Sequence, residues 1–331
     1  MKICFFCKIA NPKLLETIEF YRQDIDILRK VYPNLKIATK YSEIDWNVDV
    51  LFIWWWTYAL YPVVIAKLKR RKIRTIITGT FNYICPQAPF DYFRRPWYQR
   101  ILIKSAAMLV DKNVLVSYNE YKQLKSDWHL ENVLYCPHGV DTDVYRPLNV
   151  VRDSYLFTMA LTEHRSIKRK CIIELIDSIR ILKKEDPNIK LIVAGHRGDA
   201  YEYVKSYIEE CQLQDNIKFV GQISLQEKID YLRHCRVYVQ PSKYEGFGLA
   251  IAEAMSCGCT VLTTKVGELE NVVGDAGIFV EPNPQSIADG IKLALQNNNS
   301  YGLKARKRIL QLFPMCRREK ELHNVIFEED N

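Results

Sequence analysis

The sequence predicts an α/β protein made of two doubly wound, Rossmann-like lobes, and three observations support this fold class. Short apolar runs rich in Ile, Val and Phe alternate with longer stretches of helical period, which is typical of βαβ units on a parallel sheet. The chain has 331 residues, enough for two domains that each bury a core. A turn-rich stretch with two prolines, at 137–149, separates the pattern into two halves.

The order of the elements follows from these apolar runs. In the first half they predict five strands, at 2–7, 49–54, 73–78, 113–117 and 133–136. Helical segments are predicted between the strands, for example at 13–31 and 62–71. The second half predicts six strands, at 155–160, 189–194, 217–220, 236–240, 259–263 and 277–280. Its predicted helices are 170–184, 200–212, 225–234, 246–257, 285–297 and 302–312.

The composition excludes several classes of protein. Apolar residues make up 48% of the chain and charged residues 26%, which argues against a disordered or collagen-like chain. The longest apolar stretch, 48–64, contains Asp49 and Pro62 and is too short to cross a bilayer. The first residues, MKICFFCKIANPK, resemble a first strand more than a signal peptide, so we expect a cytoplasmic protein.

The net charge of +8 lies entirely in the first half. Residues 1–150 contain 22 Lys and Arg against 14 Asp and Glu, whereas residues 151–331 contain 25 of each kind. A basic lobe attracts nucleic acid, anionic lipid or a phosphorylated acceptor by the same screened attraction, so charge alone does not choose among them.

Ten cysteines are scattered along the chain without a paired spacing that would hold zinc. Cys4 and Cys7 form a single CxxC within a predicted strand, where residues three apart point to opposite faces. We therefore predict buried thiols and no metal site.

The most informative segment is the strand, loop and helix at 237–258. Glu245 precedes Gly246, Phe247 and Gly248, and the helix then begins near Leu249. Glycines at a helix N-terminus let backbone N–H groups approach an anion, which the helix dipole also favours. Glu253 lies eight residues after Glu245, so two carboxylates bracket an anion site, an arrangement that suits a sugar nucleotide. The alternative interpretation is an ordinary capped helix start with a surface glutamate.

These residues resemble the retaining GT-B glycosyltransferases of glycosyltransferase family 4, also called glycosyl transferases group 1. The family pattern EGFGLxxxEAMxxGxxV is similar to residues 245–261, and ValGlyGluLeuGluAsnValVal at 266–273 resembles its GGxxE loop with Glu268 in place of the second Gly. The segments 277–288 and 137–147 also resemble the family, and the similarity extends over 133–313.

The resemblance implies a GT-B fold whose two lobes face each other across a cleft. It implies an N-terminal acceptor-side domain at 1–148, a nucleotide-sugar-binding domain at 149–310, and a C-terminal helix at 311–331 that packs back on the first domain. The implied activity is that of a hexosyltransferase that transfers a sugar from a nucleotide-diphosphate sugar to an acceptor, with retention and without a metal. The donor is then a substrate and no cofactor is expected.

The resemblance also implies roles for individual residues. Glu245 would orient the donor sugar, Glu253 would bind the ribose, and the amides of Gly246, Phe247, Gly248 and Leu249 would bind phosphate. A basic pair in the pattern GRxxxxKG corresponds to HisArgSerIleLysArgLysCys at 164–171, which makes Lys170 and Arg165 the contacts of the diphosphate. His164 is the alternative to Arg165 under an alignment shifted by one residue. Cations beside a helix N-terminus are unfavourable, and a bound phosphate would remove that conflict.

The first lobe departs from the family pattern in two places. The stretch LysIleAlaAsnPro at 8–12 has no glycine where the family has a Gly-rich loop, and Thr80 stands where the family often has a His facing the donor sugar. A hydroxyl still hydrogen-bonds to sugars, so Thr80 is a candidate donor contact. AspThrAsp at 141–143 lies in the linker, and we interpret it as a local turn and not as a metal-binding motif.

The partners expected from the sequence are a nucleotide sugar and a saccharide, lipid-linked or protein acceptor, but not nucleic acid. Cationic and aromatic residues at 93–104 resemble an interfacial amphipathic segment, so peripheral membrane contact through the basic lobe is a further hypothesis. A non-catalytic GT-B-derived protein that binds polyanion or membrane through that lobe is the alternative function. Nucleotide-sugar epimerases and pyridoxal-phosphate-dependent glycogen phosphorylases share the fold and are the enzymatic alternatives.

Overall fold

A computed structural model describes residues 1–69, 72–148, 151–296 and 300–327. The chain divides into two compact units, Met1–Gly139 with Cys316–Asn331, and Val140–Met315. Each unit contains a six-stranded parallel sheet with helices packed against it, so the predicted α/β class with two doubly wound lobes is confirmed. The predicted domain boundary falls between 148 and 149, and the predicted C-terminal helix ends at 331. Residue 149 and the end of that helix lie outside the described residues.

The sheet of the first unit has the order β2-β1-β3-β4-β5-β6. Its strands are β1 (Ile3–Cys7), β2 (Lys36–Ala38), β3 (Val50–Trp54), β4 (Arg74–Gly79), β5 (Lys112–Leu115) and β6 (Val133–Tyr135). Its helices up to the boundary are α1 (Leu14–Thr17), α2 (Glu19–Val31), α3 (Leu60–Leu68), α4 (Trp97–Leu109) and α5 (Tyr118–Asp127). Short 3₁₀ turns lie at Tyr41–Glu43, Trp56–Tyr58 and Tyr92–Arg94.

The strands β1 and β3 are apolar along their whole length because helices cover both faces of the sheet. Every residue of β1 and β3 is buried, including Cys4 and Cys7. The five strands predicted here are confirmed, but β2 is not among them because it is a three-residue strand that is exposed at its start. The predicted helix at 13–31 is interrupted at Ile18, whose backbone is extended.

The sheet of the second unit has the order β12-β11-β10-β7-β8-β9. Its strands are β7 (Tyr155–Met159), β8 (Lys190–Ala194), β9 (Ile217–Gly221), β10 (Val237–Gln240), β11 (Thr260–Thr263) and β12 (Ile278–Phe279), and all six match predicted strands. Its helices are α6 (His164–Arg169), α7 (Ile172–Lys183), α8 (Tyr201–Glu210), α9 (Leu225–His234), α10 (Leu249–Ser256), α11 (Leu269–Val273), α12 (Pro284–Gln296) and α13 (Ser300–Leu312). This strand order places a topological switch point between β7 and β10.

The segment after β7 differs from the prediction. The sequence predicts a helix that begins near Lys170, whereas 164–169 already form the short helix α6. Cys171 then adopts a left-handed conformation, with φ of 53°, before α7 begins. This is the position where the family pattern has glycine, the residue that adopts such a φ without strain.

The helix α14 (Met315–Phe327) joins the first unit and is held there by a buried ion pair. Arg318 donates from Nε to Asp24 Oδ1 at 2.7 Å and from Nη2 to Asp24 Oδ2 at 2.9 Å, and neither side chain is exposed. Arg318 Nη1 also donates to the backbone oxygen of Cys136 at 2.8 Å. The pair therefore fixes α14 against α2 and the end of β6.

Residues 140–148 of the predicted linker belong to the second unit, whereas 137–139 belong to the first. Val140 pairs with Pro314, and the backbone oxygen of Tyr145 accepts hydrogen bonds from Ser256 Oγ at 2.6 Å and Arg306 Nη1 at 2.8 Å. These contacts attach the stretch after Gly139 to α10 and α13. Among the described residues, the structure has no helix that is long and apolar enough to span a membrane.

Candidate functional site

Lys170 lies at the switch point of the second sheet. Its Nζ donates to the backbone oxygen of Met159, the last residue of β7, at 2.8 Å. It also donates to Oε1 of Gln240, the last residue of β10, at 3.0 Å. The ammonium group therefore lies where the carboxyl ends of two neighbouring strands diverge, the place where open α/β sheets bind ligands.

The protein shifts the pKa of this lysine. Burial disfavours the charged form and lowers the pKa of Lys170 to about 8, with the nearby cation Arg169 acting in the same direction. The carboxylates of Glu245 and Glu253 partly oppose the shift. An anion that binds at the ammonium would act in the same direction as these carboxylates and stabilise the charged form of Lys170.

Glu245 accepts three hydrogen bonds on one carboxylate oxygen. Its Oε1 lies 2.6 Å from Arg169 Nη1, 3.0 Å from Gln240 Nε2 and 3.0 Å from Ser242 Oγ. The Arg169 guanidinium also lies over the Tyr244 ring, 5.7 Å from its centroid. The loop that follows β10 thereby places a carboxylate beside Lys170 and fixes its direction.

Gln240 connects the two charged groups. Its Oε1 accepts from Lys170 Nζ and from Tyr238 Oη, the latter at 2.9 Å, while its Nε2 donates to Glu245. Because two donors face its oxygen and an acceptor faces its nitrogen, the orientation of the Gln240 amide is determined. We refer to Lys170, Gln240, Glu245 and Arg169 as the switch-point cluster.

The loop between Glu245 and α10 is held tightly. Gly248 caps α10 with φ of 86°, and Phe247 is buried against Phe313 at 5.5 Å between ring centroids. Gly267 packs against the same loop, because a Cβ built on it would lie 1.9 Å from the backbone oxygen of Glu245. The backbone oxygen of Gly246 accepts a hydrogen bond from the Glu268 amide at 3.2 Å.

Glu253 and Leu249 both lie on α10. Leu249 is its first residue and is half-buried, whereas the Glu253 carboxylate is buried and contacts Lys228 Nζ through both oxygens, at 2.7 and 2.6 Å. Lys228 lies on α9, and no sequence pattern signals this pair because the two residues are separated by 25 positions. Glu253 is therefore paired with a lysine of the same unit.

The structure does not bring the remaining predicted residues into the switch-point cluster. Arg165 and His164 are exposed on α6, and the His164 amide donates to Asp199 Oδ1 at 3.0 Å. The cation that contacts Glu245 is Arg169, one helical turn after Arg165. Thr80 is half-buried directly after β4 in the first unit.

The linker aspartates form a local turn. Asp141 Oδ1 accepts from the backbone amides of Asp143 and Val144, at 3.1 and 3.0 Å, in agreement with the sequence interpretation. Within the described residues there is no group of three His, Cys, Asp or Glu side chains that could hold a metal ion.

Comparisons with known proteins give one family model and a shared fold. Residues 158–311 match the model of glycosyl transferases group 1. The chain is 24% identical over 262 residues to a phosphatidylinositol N-acetylglucosaminyltransferase subunit of Arabidopsis thaliana, covering 72% of this chain and 58% of that protein. It is 37% identical over 134 residues to O-antigen chain mannosyltransferase B of Escherichia coli, covering 40% of this chain and 35% of that protein. The matched stretches thus span 58% and 35% of the lengths of these two curated relatives.

Among solved structures, HepE of Anabaena in complex with UDP and glucose is similar over 99% of this chain and 100% of that chain. The TM-score is 0.79 at 14% sequence identity, which shows a shared fold.

Proposed function

Since residues 158–311 match the model of glycosyl transferases group 1 and the chain has the GT-B fold, we propose that it is a glycosyltransferase that uses a nucleotide-diphosphate sugar as donor. The observation that carries this proposal is the switch-point cluster. A charged lysine, an oriented carboxylate and a glycine-flanked helix start meet at the carboxyl ends of two strands. This combination offers a cation for a diphosphate and an acceptor for sugar hydroxyls in one place.

The proposed reaction breaks the bond between the sugar C1 and the diphosphate oxygen, and the electron pair of that bond leaves with the diphosphate. Lys170 and the arginines of α6, Arg165 and Arg169, stabilise the negative charge on the leaving group, together with the amides at 246–249. An acceptor oxygen forms the new bond to C1, and its proton passes to the leaving diphosphate. Because fixed cations supply the compensating charge, we propose a metal-independent transfer, and we propose retention of configuration from the family resemblance.

Glu245 and Glu253 have separate proposed tasks. Glu245 already accepts three hydrogen bonds on Oε1, and we propose that the rest of the carboxylate orients the donor sugar. Glu253 is held in place by Lys228, and we propose that its carboxylate accepts hydrogen bonds from the ribose hydroxyls. We further propose a hexose or N-acetylhexosamine as the sugar and a saccharide or lipid-linked molecule as the acceptor.

The first experiment measures nucleotide binding. Isothermal titration of the full chain with UDP, GDP, ADP and dTDP is expected to show selective binding of one nucleotide. Lys170→Ala should weaken that binding by about 10- to 100-fold, because it removes a charge-assisted contact to phosphate. Lys168→Ala is the matched control, since it removes an exposed lysine only two positions away and should change the affinity by less than about twofold.

The second experiment measures turnover with the sugar conjugate of the selected nucleotide. Release of the free nucleoside diphosphate in the presence of EDTA is expected, with an anomeric signal in the NMR spectrum of the product that matches the donor configuration. An inverted product, or turnover that EDTA abolishes, would contradict the proposed mechanism. Binding of no nucleotide would overturn the proposal in favour of a non-catalytic GT-B-derived protein.

A further inference from the structure

The helix α4 exposes its large apolar side chains and buries its small ones. Ile103, Ala106 and Ala107 face the core of the first unit. The opposite face carries six large apolar residues that are 42–68% exposed: Trp97, Tyr98, Ile101, Leu102, Met108 and Leu109. Single exposed apolar residues are normal in soluble proteins, but six on one helix of 13 residues form an apolar face that needs a partner.

The neighbouring helix α3 has a similar exposed face. It packs beside α4, and its exposed residues Tyr61, Val64 and Leu68 are spaced three and four positions apart. This spacing places them on one side of the helix. Phe93, just before α4, is also exposed. We call these exposed residues of α3 and α4, together with Phe93, the α3–α4 surface.

Between Asp91, which is buried, and Asp111, which pairs with Lys67, the charges of the segment that carries α4 are all positive. Residues 92–110 contain Arg94, Arg95, Arg100 and Lys104 and no acidic residue. Arg94 and Lys104 are exposed, and Lys104 Nζ lies over the Trp128 ring at 5.4 Å from its centroid. Such an apolar face flanked by cations is complementary to a surface that is apolar inside and anionic outside.

We propose that the α3–α4 surface binds the face of an anionic lipid bilayer. Trp97 and Tyr98 stand at the start of α4, and such rings combine an apolar body with a polar group, as the headgroup boundary requires. The exposed cations Arg94 and Lys104 contact the anionic headgroups, while Ile101 and Leu102 enter the acyl region. The helix has only 13 residues, so it lies in the interface and does not cross the bilayer.

Vesicle flotation of the full chain tests this proposal without any donor or acceptor. The chain is expected to float with vesicles that contain roughly a third phosphatidylglycerol in phosphatidylcholine. With vesicles of pure phosphatidylcholine it is expected to remain unbound in the bottom fraction. Raising the NaCl concentration from about 0.1 M to about 0.5 M should weaken the binding several-fold, because screening weakens the attraction of the cations.

The variant Trp97→Glu/Ile101→Glu should lower the partition coefficient by about tenfold or more, since it places two carboxylates in the apolar face. The matched control is Tyr203→Glu/Leu303→Glu, which adds the same two charges at exposed apolar positions of the second unit. The control should bind vesicles to within about threefold of the wild type, because each added surface charge matters little at a distance. Trp97→Ser/Ile101→Ser repeats the test without added charge.

Equal binding by wild type and Trp97→Glu/Ile101→Glu would overturn the proposal, as would no binding to anionic vesicles. A dimer in light scattering that the same variant dissociates, without vesicle binding, would instead assign the surface to a second copy of the chain. Nucleotide affinity is measured alongside and should be unchanged in all variants. A failure of vesicle binding is therefore distinguishable from a failure of the proposed transferase activity.

Discussion

At the scale of single residues, the switch-point cluster shows what spacing can reveal. Short sequence motifs identify Glu245 and Lys170 as site residues. In the structure Gln240 hydrogen-bonds to both of them. Gln240 and Arg169 do not follow from any motif, because their hydrogen bonds cross 70 and 76 positions of sequence. One signal is available: Gln240 is a polar residue at the carboxyl end of an apolar strand, where parallel sheets place ligand contacts.

The lowered pKa of Lys170 predicts a pH dependence of nucleotide binding. Below its pKa of about 8 the ammonium is charged and attracts phosphate, whereas above that pH it is neutral, so the affinity should fall as pH rises through 8. The expected loss approaches about tenfold per pH unit, which titration calorimetry between about pH 6.5 and 9.5 can follow. Lys170→Met should give a flat profile in this range, and Lys168→Met should keep the wild-type inflection.

Gln240→Leu tests whether Gln240 positions the lysine. The change removes an acceptor from the ammonium and a donor from Glu245, so nucleotide affinity should fall by about 5- to 20-fold. Since the lost acceptor favoured the charged form, the inflection of the pH profile should also move below that of the wild type. An unchanged inflection with reduced affinity would mean that Gln240 has only a structural role.

At the scale of elements, the fold is largely predictable and the exceptions share a cause. The apolar runs predict eleven strands and all are present, because parallel strands buried on both faces give an unmistakable pattern. The strand β2 and the helix α6 have no such signal. Both are short and partly exposed, so their stability comes from the elements they pack against and not from a pattern of their own.

The packing of Gly267 against the Glu245 loop gives an element-scale prediction. Gly267→Ala places a methyl group against the Glu245 backbone oxygen at a residue with φ of 56°, so the loop must move. We expect about 2–4 kcal/mol of destabilisation in urea unfolding, together with weaker nucleotide binding. Gly221→Ala is the matched control, because Gly221 has φ of 75° but nothing within 4 Å of the added Cβ. Its cost should be about 1 kcal/mol, with unchanged binding; equal effects of the two variants would refute the packing argument.

At the scale of the whole molecule, the two-lobe α/β fold is predicted correctly, and the resemblance of 245–261 and its surroundings agrees with the family model that matches residues 158–311. The attachment of α14 to the first unit is expected from the resemblance, but the ion pair that fixes it is not. Asp24 and Arg318 are separated by 294 positions, and each looks like an ordinary surface charge in its own helix pattern. Long-range pairing of this kind is set by tertiary structure alone.

The buried pair of Asp24 and Arg318 predicts that a single substitution destabilises the protein much more than the double substitution does. Arg318→Leu leaves the Asp24 carboxylate buried without its cation and should destabilise the first unit by about 3–5 kcal/mol in urea unfolding. Asp24→Leu/Arg318→Leu should recover most of that loss, because no uncompensated charge remains. Glu319→Ala is the control: it breaks the exposed pair with Lys30 between the same two helices and should cost less than about 1 kcal/mol. A double variant as unstable as Arg318→Leu would contradict this account.

The return of α14 to the first unit also has a consequence for how the chain folds during its synthesis. The second unit, Val140–Met315, is continuous in sequence and can fold as soon as it leaves the ribosome. The first unit is begun earlier but lacks Arg318 until the whole second unit has been made, an interval on the order of 10–30 s at usual elongation rates. Throughout that interval Asp24 has no guanidinium to pair with. The unit that is translated first is therefore the last to be completed, the reverse of the usual order.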